Sequence, residues 1–141
     1  MSLPEFLPND LLPPGLHVAT LDEIEIRFSQ TPRRRELFAR LNHFVALAQS
    51  VGAIRLFVNG SYVTTKSDPG DVDVVIWLTE TFLNLLSAED DRALELQQMF
   101  LTRIPKEAFA VFDQSGWDDW IEFFSFTRAG DQKGIVEIRL R

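Results

Sequence analysis

The sequence predicts a mixed α/β (α+β) domain, a small sheet of about four strands flanked by helices. Three observations lead there. Leu37, Leu41, Phe44 and Ala48 recur at helical spacing. Residues 71–78 form a nearly unbroken apolar run, as in a central strand buried on both faces. Residues 134–140 give a second strand pattern near the end of the chain. A length of 141 residues suits one compact domain.

Taken in order, residues 1–19 contain Pro4, Pro8, Pro13 and Pro14, which exclude a continuous helix or central strand. They are expected to form an extended arm, packed over the body or onto a partner, with residues 20–141 as the single domain. Thr20 and Glu23 make a capping-box pattern for a short helix through about Phe28. Thr31 and Pro32 open a second helix, with Leu37, Leu41, Phe44 and Ala48 on its buried face and Gly52 at its stop. Arg33, Arg34 and Arg35 fall in its first turns, where the macrodipole disfavours positive charge. The simplest reading is a solvated face; the alternative is a contact with an anion or a partner.

Residues 54–58 are a strand ending at Asn59-Gly60-Ser61, and Pro69-Gly70 marks the loop before the strand at 71–78. Helical pieces follow at 80–87 and 88–102, the second opened by Ser87 with Asp90 three residues on. Residues 109–112 form a short strand. Ser115 is expected to cap a helix through about Phe126, with Trp117, Trp120, Ile121 and Phe124 facing the core. A turn at Ala129-Gly130-Asp131 leads into the last strand.

The composition, 45% hydrophobic and 25% charged, is that of a folded domain. No apolar run approaches the roughly 20 residues of a membrane span, and no basic-then-apolar leader opens the chain. A soluble, cytoplasmic protein with no membrane partner is expected. Without cysteine there is no disulfide or thiolate site, and His17 and His43 lie in different segments. Zinc is thereby disfavoured, while a hard cation held by carboxylates remains open. The formal net charge of −7 argues against broad duplex nucleic-acid binding. It leaves room for a nucleotide that arrives with magnesium.

The chemistry concentrates in one stretch. Asp71 and Asp73, two apart on a strand, project from one face about 7 Å apart. Two carboxylates at the start of a buried strand must be solvated, paired or bound to a cation. Gly60 permits close backbone approach, and the N–H groups and Ser61 hydroxyl of the following turn can meet a phosphate. Phosphate donors thus lie beside candidate ligands for Mg2+.

The run Leu56-Phe57-Val58-Asn59-Gly60-Ser61, then Asp71-Val72-Asp73-Val74, resembles the signature of the nucleotidyltransferase fold shared with DNA polymerase beta. A closer resemblance is to short, largely uncharacterised prokaryotic proteins of that fold. It rests on Gly60 to Thr64, Lys66, Pro69 to Asp73, and Lys133 to Ile138. The resemblance implies a nucleotidyltransferase-type sheet, with Gly60 and Ser61 contacting the triphosphate of an NTP and Asp71 and Asp73 holding Mg2+. It also implies a third carboxylate on a neighbouring strand. There the chain departs from the pattern, because the equivalent position is expected to be Ala110. Asp113, as a metal ligand, and Glu137, as a catalytic group or as a salt-bridge partner of Arg139, are the available substitutes.

Other features have simpler readings. Asp118 and Asp119 suit a first helical turn. Trp117 and Trp120 read as a core stripe, with base stacking as the alternative. His43 reads as a helix-flank residue and Glu89-Asp90-Asp91 as a solvated helix start. Lys66 is either a phosphate contact or a solvated loop lysine. The function expected from all this is magnesium-dependent transfer of an NMP from an NTP to an acceptor hydroxyl, with a protein partner or a homodimer completing the site. The alternatives are a catalytically reduced binding or regulatory module, and a structural domain whose Asp71 and Asp73 are satisfied by nearby Arg or Lys.

Overall fold

The computed structural model describes residues 3–66, 69–70, 72–102 and 107–140. The elements run β1 (Gly15–Ala19), α1 (Leu21–Phe28), α2 (Pro32–Ser50), β2 (Arg55–Asn59), β3 (Asp73–Trp77), α3 (Glu80–Ser87), α4 (Asp91–Thr102), β4 (Glu107–Val111), α5 (Gln114–Phe124) and β5 (Gly134–Ile138). Among the described residues five strands make one mixed sheet in the order β1-β5-β2-β3-β4. The outer pairs, β1 with β5 and β3 with β4, are parallel, while β2 runs antiparallel to both neighbours. The fold is the expected small α+β domain, with one strand more than the sequence predicted.

That extra strand comes from the arm. Its first part packs on the body, with Leu3 and Leu12 buried and Arg27 of α1 donating to the Leu3 and Pro4 carbonyls at 2.9 and 2.7 Å. Past Pro14 the chain has free N–H groups again and extends as β1 along the sheet edge. The prolines therefore confine only the first part of the arm.

Local signals set the helix starts. Thr20 accepts from the Glu23 N–H at 3.2 Å while Glu23 accepts from the Thr20 N–H, which is the reciprocal capping box. Thr31 caps α2 with Pro32 following. Two expected caps shift by a few residues. Asp90 rather than Ser87 serves α4, its Oδ1 accepting from the Arg92 and Ala93 N–H groups. Asp113 rather than Ser115 serves α5, accepting from the Gly116 N–H at 2.8 Å.

Alternation along the strands separates two cores. Leu56, Val58, Val74, Ile76, Val136 and Ile138 face α1 to α4 in the larger one. Phe57, Val75, Val111 and Ile135 face α5, which contributes Trp117 and Phe124. Asn59 and Asp73 share parity with the second set and pair across β2 and β3.

Candidate functional site

Strand β2 ends at Asn59, and Gly60 then takes φ +88°, a left-handed conformation that suits glycine. Ser61–Val63 follow as a single turn of 3-10 helix. The Ser61 hydroxyl accepts from the Gly70 N–H at 3.1 Å, so this turn is tied to the loop that leads into β3. Asp73 begins β3 opposite Asn59 and is half-buried. The Gly60-Ser61 turn and Asp73 therefore stand at the same end of adjacent strands. Asp71 lies outside the described residues.

Two arginines fix the loop from the side of α2. Arg34 is buried and donates to the carbonyls of Tyr62 at 2.6 Å, Thr64 at 2.6 Å, Lys66 at 3.0 Å and Phe28 at 3.3 Å. Burial lowers its pKa, but a guanidinium so placed stays charged. Arg33 donates to the Pro69 carbonyl at 3.2 Å. The arginine run is divided: Arg35 is solvent-exposed, Arg33 also pairs with Glu36 at 3.2 Å, and Arg33 and Arg34 staple the loop between Ser61 and β3. The macrodipole conflict in the sequence was the signal, and the partners turned out to be backbone carbonyls.

A cleft of about 800 Å³ opens at this end of the sheet. Gly60, Ser61, Thr64 and Asp73 line one side of it. Phe109 of β4 and Trp120, Phe123 and Phe124 of α5 form an aromatic wall. Phe126, Thr127, Arg128 and Lys133, on the turn after α5, complete the rim. That turn is a small hairpin, closed by the Phe126–Gln132 bridge and by the Thr127 N–H donating to the Asp131 carbonyl at 2.8 Å. Leu11 brings the arm to the same cleft.

Of the residues singled out in the sequence, the cleft brings together Gly60, Ser61 and Asp73. It does not include Lys66, whose side chain is exposed while its backbone bonds to Thr64 and Arg34. Glu137 is engaged elsewhere, accepting from Arg55 Nε and Nη2 at 2.8 and 2.6 Å. Hydrogen bonding to Glu137 raises the arginine's pKa, and the guanidinium lies 4.6 Å over the Trp117 ring. The salt-bridge reading of Glu137 holds, with Arg55 in place of Arg139. Asp113 lies two residues past the end of β4, six residues from the register partner of Asp73 and roughly 20 Å away by strand rise, and caps α5. Neither substitute carboxylate stands beside Asp73.

Ala110 is also displaced from its expected role. It pairs with Ile76, whose side chain belongs to the larger core, so it falls on the face opposite Asp73. The β4 position in register with Asp73 is Glu107. Sequence reading missed Glu107 because the strand was expected to begin at Phe109, two residues late. Arg128, Phe123 and Phe126 were missed because they come from a helix end and a turn with no periodic signal.

The donor chemistry fits a hard cation better than zinc. His17 Nε2 lies 2.7 Å from the Pro13 carbonyl and His43 pairs with Glu95 at 2.6 Å, so both imidazoles are committed away from the cleft. Asp73 supplies carboxylate oxygen there and Ser61 a hydroxyl. Among the described residues no three carboxylate or imidazole side chains gather.

The fold and cleft define a small α+β domain with a polar, strand-end site facing an aromatic wall. The chain belongs to a family of unknown function, DUF6932, whose model matches residues 4–139. No curated protein and no solved structure matches it. Among the described residues no helix is long and apolar enough to cross a membrane.

Proposed function

We propose that this protein binds a nucleoside triphosphate with magnesium and transfers the NMP to an acceptor hydroxyl. The observation that carries the reading is a single cleft joining Gly60, Ser61 and Asp73 to an aromatic wall and to Arg128 and Lys133. On a chain of net charge −7, the exposed Arg128 on the cleft rim favours an anionic ligand there. Gly60 allows phosphate oxygens close to the backbone, and Ser61 adds a hydroxyl.

Asp73, with Asp71, would hold magnesium, which when bound neutralises phosphate charge and aligns the reacting groups. The acceptor oxygen bonds to the α-phosphorus as the bond to the bridging oxygen breaks. Pyrophosphate leaves, and the acceptor's proton passes to a carboxylate of the site. The register makes Glu107 the position to test for a third carboxylate. With the cleft open on one side of a single small domain, a protein partner or a second copy would present the acceptor.

A binding or regulatory module is the second reading. It is favoured by the engagement of Glu137 with Arg55 and of Asp113 with the start of α5, which removes both substitute carboxylates. Incubation with magnesium and α-labelled NTPs separates the two. Pyrophosphate release that disappears in Asp73→Ala supports transfer. Tight binding with no pyrophosphate release, alone or with candidate acceptors, supports the module.

A further inference from the structure

We propose that the aromatic end of the cleft is a nucleobase platform that reads the face of a base and not its edge, so that all four NTPs are accepted. The inference rests on the nucleotide reading above and assigns its base-binding part. Phe123 and Phe126 leave 66% and 45% of their surface open to water, at the rim of the same cleft that holds Gly60, Ser61 and Asp73. Two exposed rings on the rim of one cleft are grouped apolar surface of the kind that marks a ligand-binding groove.

The platform is built rigid. Trp120 stacks on Phe109 with ring centroids 4.3 Å apart, and Phe123 stands edge-on to Trp120 at 5.6 Å. Phe126 is held by its backbone bridge to Gln132. A flat apolar group can therefore settle on the packed Trp120 and Phe123 rings at little ordering cost, beside a Phe126 whose backbone is fixed. Arg128, exposed on the same rim, adds a guanidinium plane that suits a flat π-system as well as a phosphate.

The occupant is identified by the polarity of the cleft. One end is aromatic, and the other presents a glycine turn, a hydroxyl and a carboxylate. A nucleotide has the same division, with a planar base at one end and phosphates at the other. Edge recognition would need fixed donors and acceptors beside the rings. The two hydroxyls flanking Phe126 are already engaged, Ser125 donating to the Ile121 carbonyl at 2.6 Å and Thr127 accepting from the Asp131 N–H at 3.1 Å. Stacking tolerates any base, because every base has a π-face, and larger purine rings cover more of the platform.

The test is calorimetric titration of the full chain, with magnesium, against ATP, GTP, CTP, UTP and inorganic tripolyphosphate. Phe123→Ala and Phe126→Ala should each weaken all four NTPs by about tenfold and leave tripolyphosphate unchanged. Phe123→Tyr should restore affinity, and the wild type should favour purines by a few-fold only. Unchanged NTP affinity in both alanine variants would overturn the platform while leaving nucleotide binding intact. So would a parallel loss of tripolyphosphate, or a preference of about a hundredfold for one base. A wild type that binds neither NTP nor tripolyphosphate would remove the nucleotide reading and this inference together.

Discussion

Arg34 shows how one side chain can shape a loop without touching a ligand. Its fork gathers carbonyls from Phe28, Tyr62, Thr64 and Lys66. Arg34→Met should leave several carbonyls unsatisfied and cost about 3 kcal/mol of stability, read by denaturant unfolding. Arg34→Lys should recover only part, because an ammonium lacks the planar fork. Tyr62 beside it gives a pH signature. Burial pushes its phenol from 10.0 up to about 12. Between those values the unfolded chain loses the proton while the folded chain keeps it. Its contribution is therefore complete below pH 10 and declines as pH rises toward 12. It is the chain's one tyrosine, so tyrosinate absorbance reports it alone, and Tyr62→Phe should flatten the alkaline stability profile. A tyrosine titrating near 10 in the folded protein would refute this.

At the scale of elements, the helices and central strands were legible because their signals are local. Thr20 with Glu23, and Thr31 with Pro32, locate two helix starts from four residues. Residues 71–78 read as a central strand, and β3 is one, paired on both sides. Strand β1 was not legible, since its pairing with β5 is set by residues more than a hundred positions away. The close approach there does leave a trace in Gly134. A Cβ at that position would meet the Pro13 carbonyl oxygen at 2.3 Å and the His17 ring at 2.9 Å. Gly134→Ala should thus displace the arm and β1, lowering stability by about 2 to 3 kcal/mol and increasing proteolytic cleavage within the first twenty or so residues. A variant as stable and resistant as the wild type would show that the arm yields without cost.

Across the whole molecule, the two faces of the sheet divide the labour. Helices α1 to α4 bury one face in the larger core, and α2 ties down the loop after β2. Helix α5 covers the other face only in part, and its last turn with the hairpin that follows leaves the cleft open. The polar half of this site was readable, because Gly60-Ser61 and Asp73 sit at strand ends that a local pattern can locate. Of the aromatic half only Trp120 was readable, with base stacking as the alternative to a core role, because Phe109, Phe123 and Phe126 join it on one cleft only when β4, α5 and the hairpin pack. The expected place of the third carboxylate moved on register, since a shift of one residue exchanges faces: Ala110 lies on the face opposite Asp73, whose register partner on β4 is position 107. The most direct test of the nucleotide site is thermal unfolding with magnesium and ATP or GTP. Binding to the folded state alone should raise the midpoint by several degrees at saturating ligand, and the rise should vanish in Asp71→Ala with Asp73→Ala. No shift with any NTP, or an equal shift in that double variant, would contradict the account.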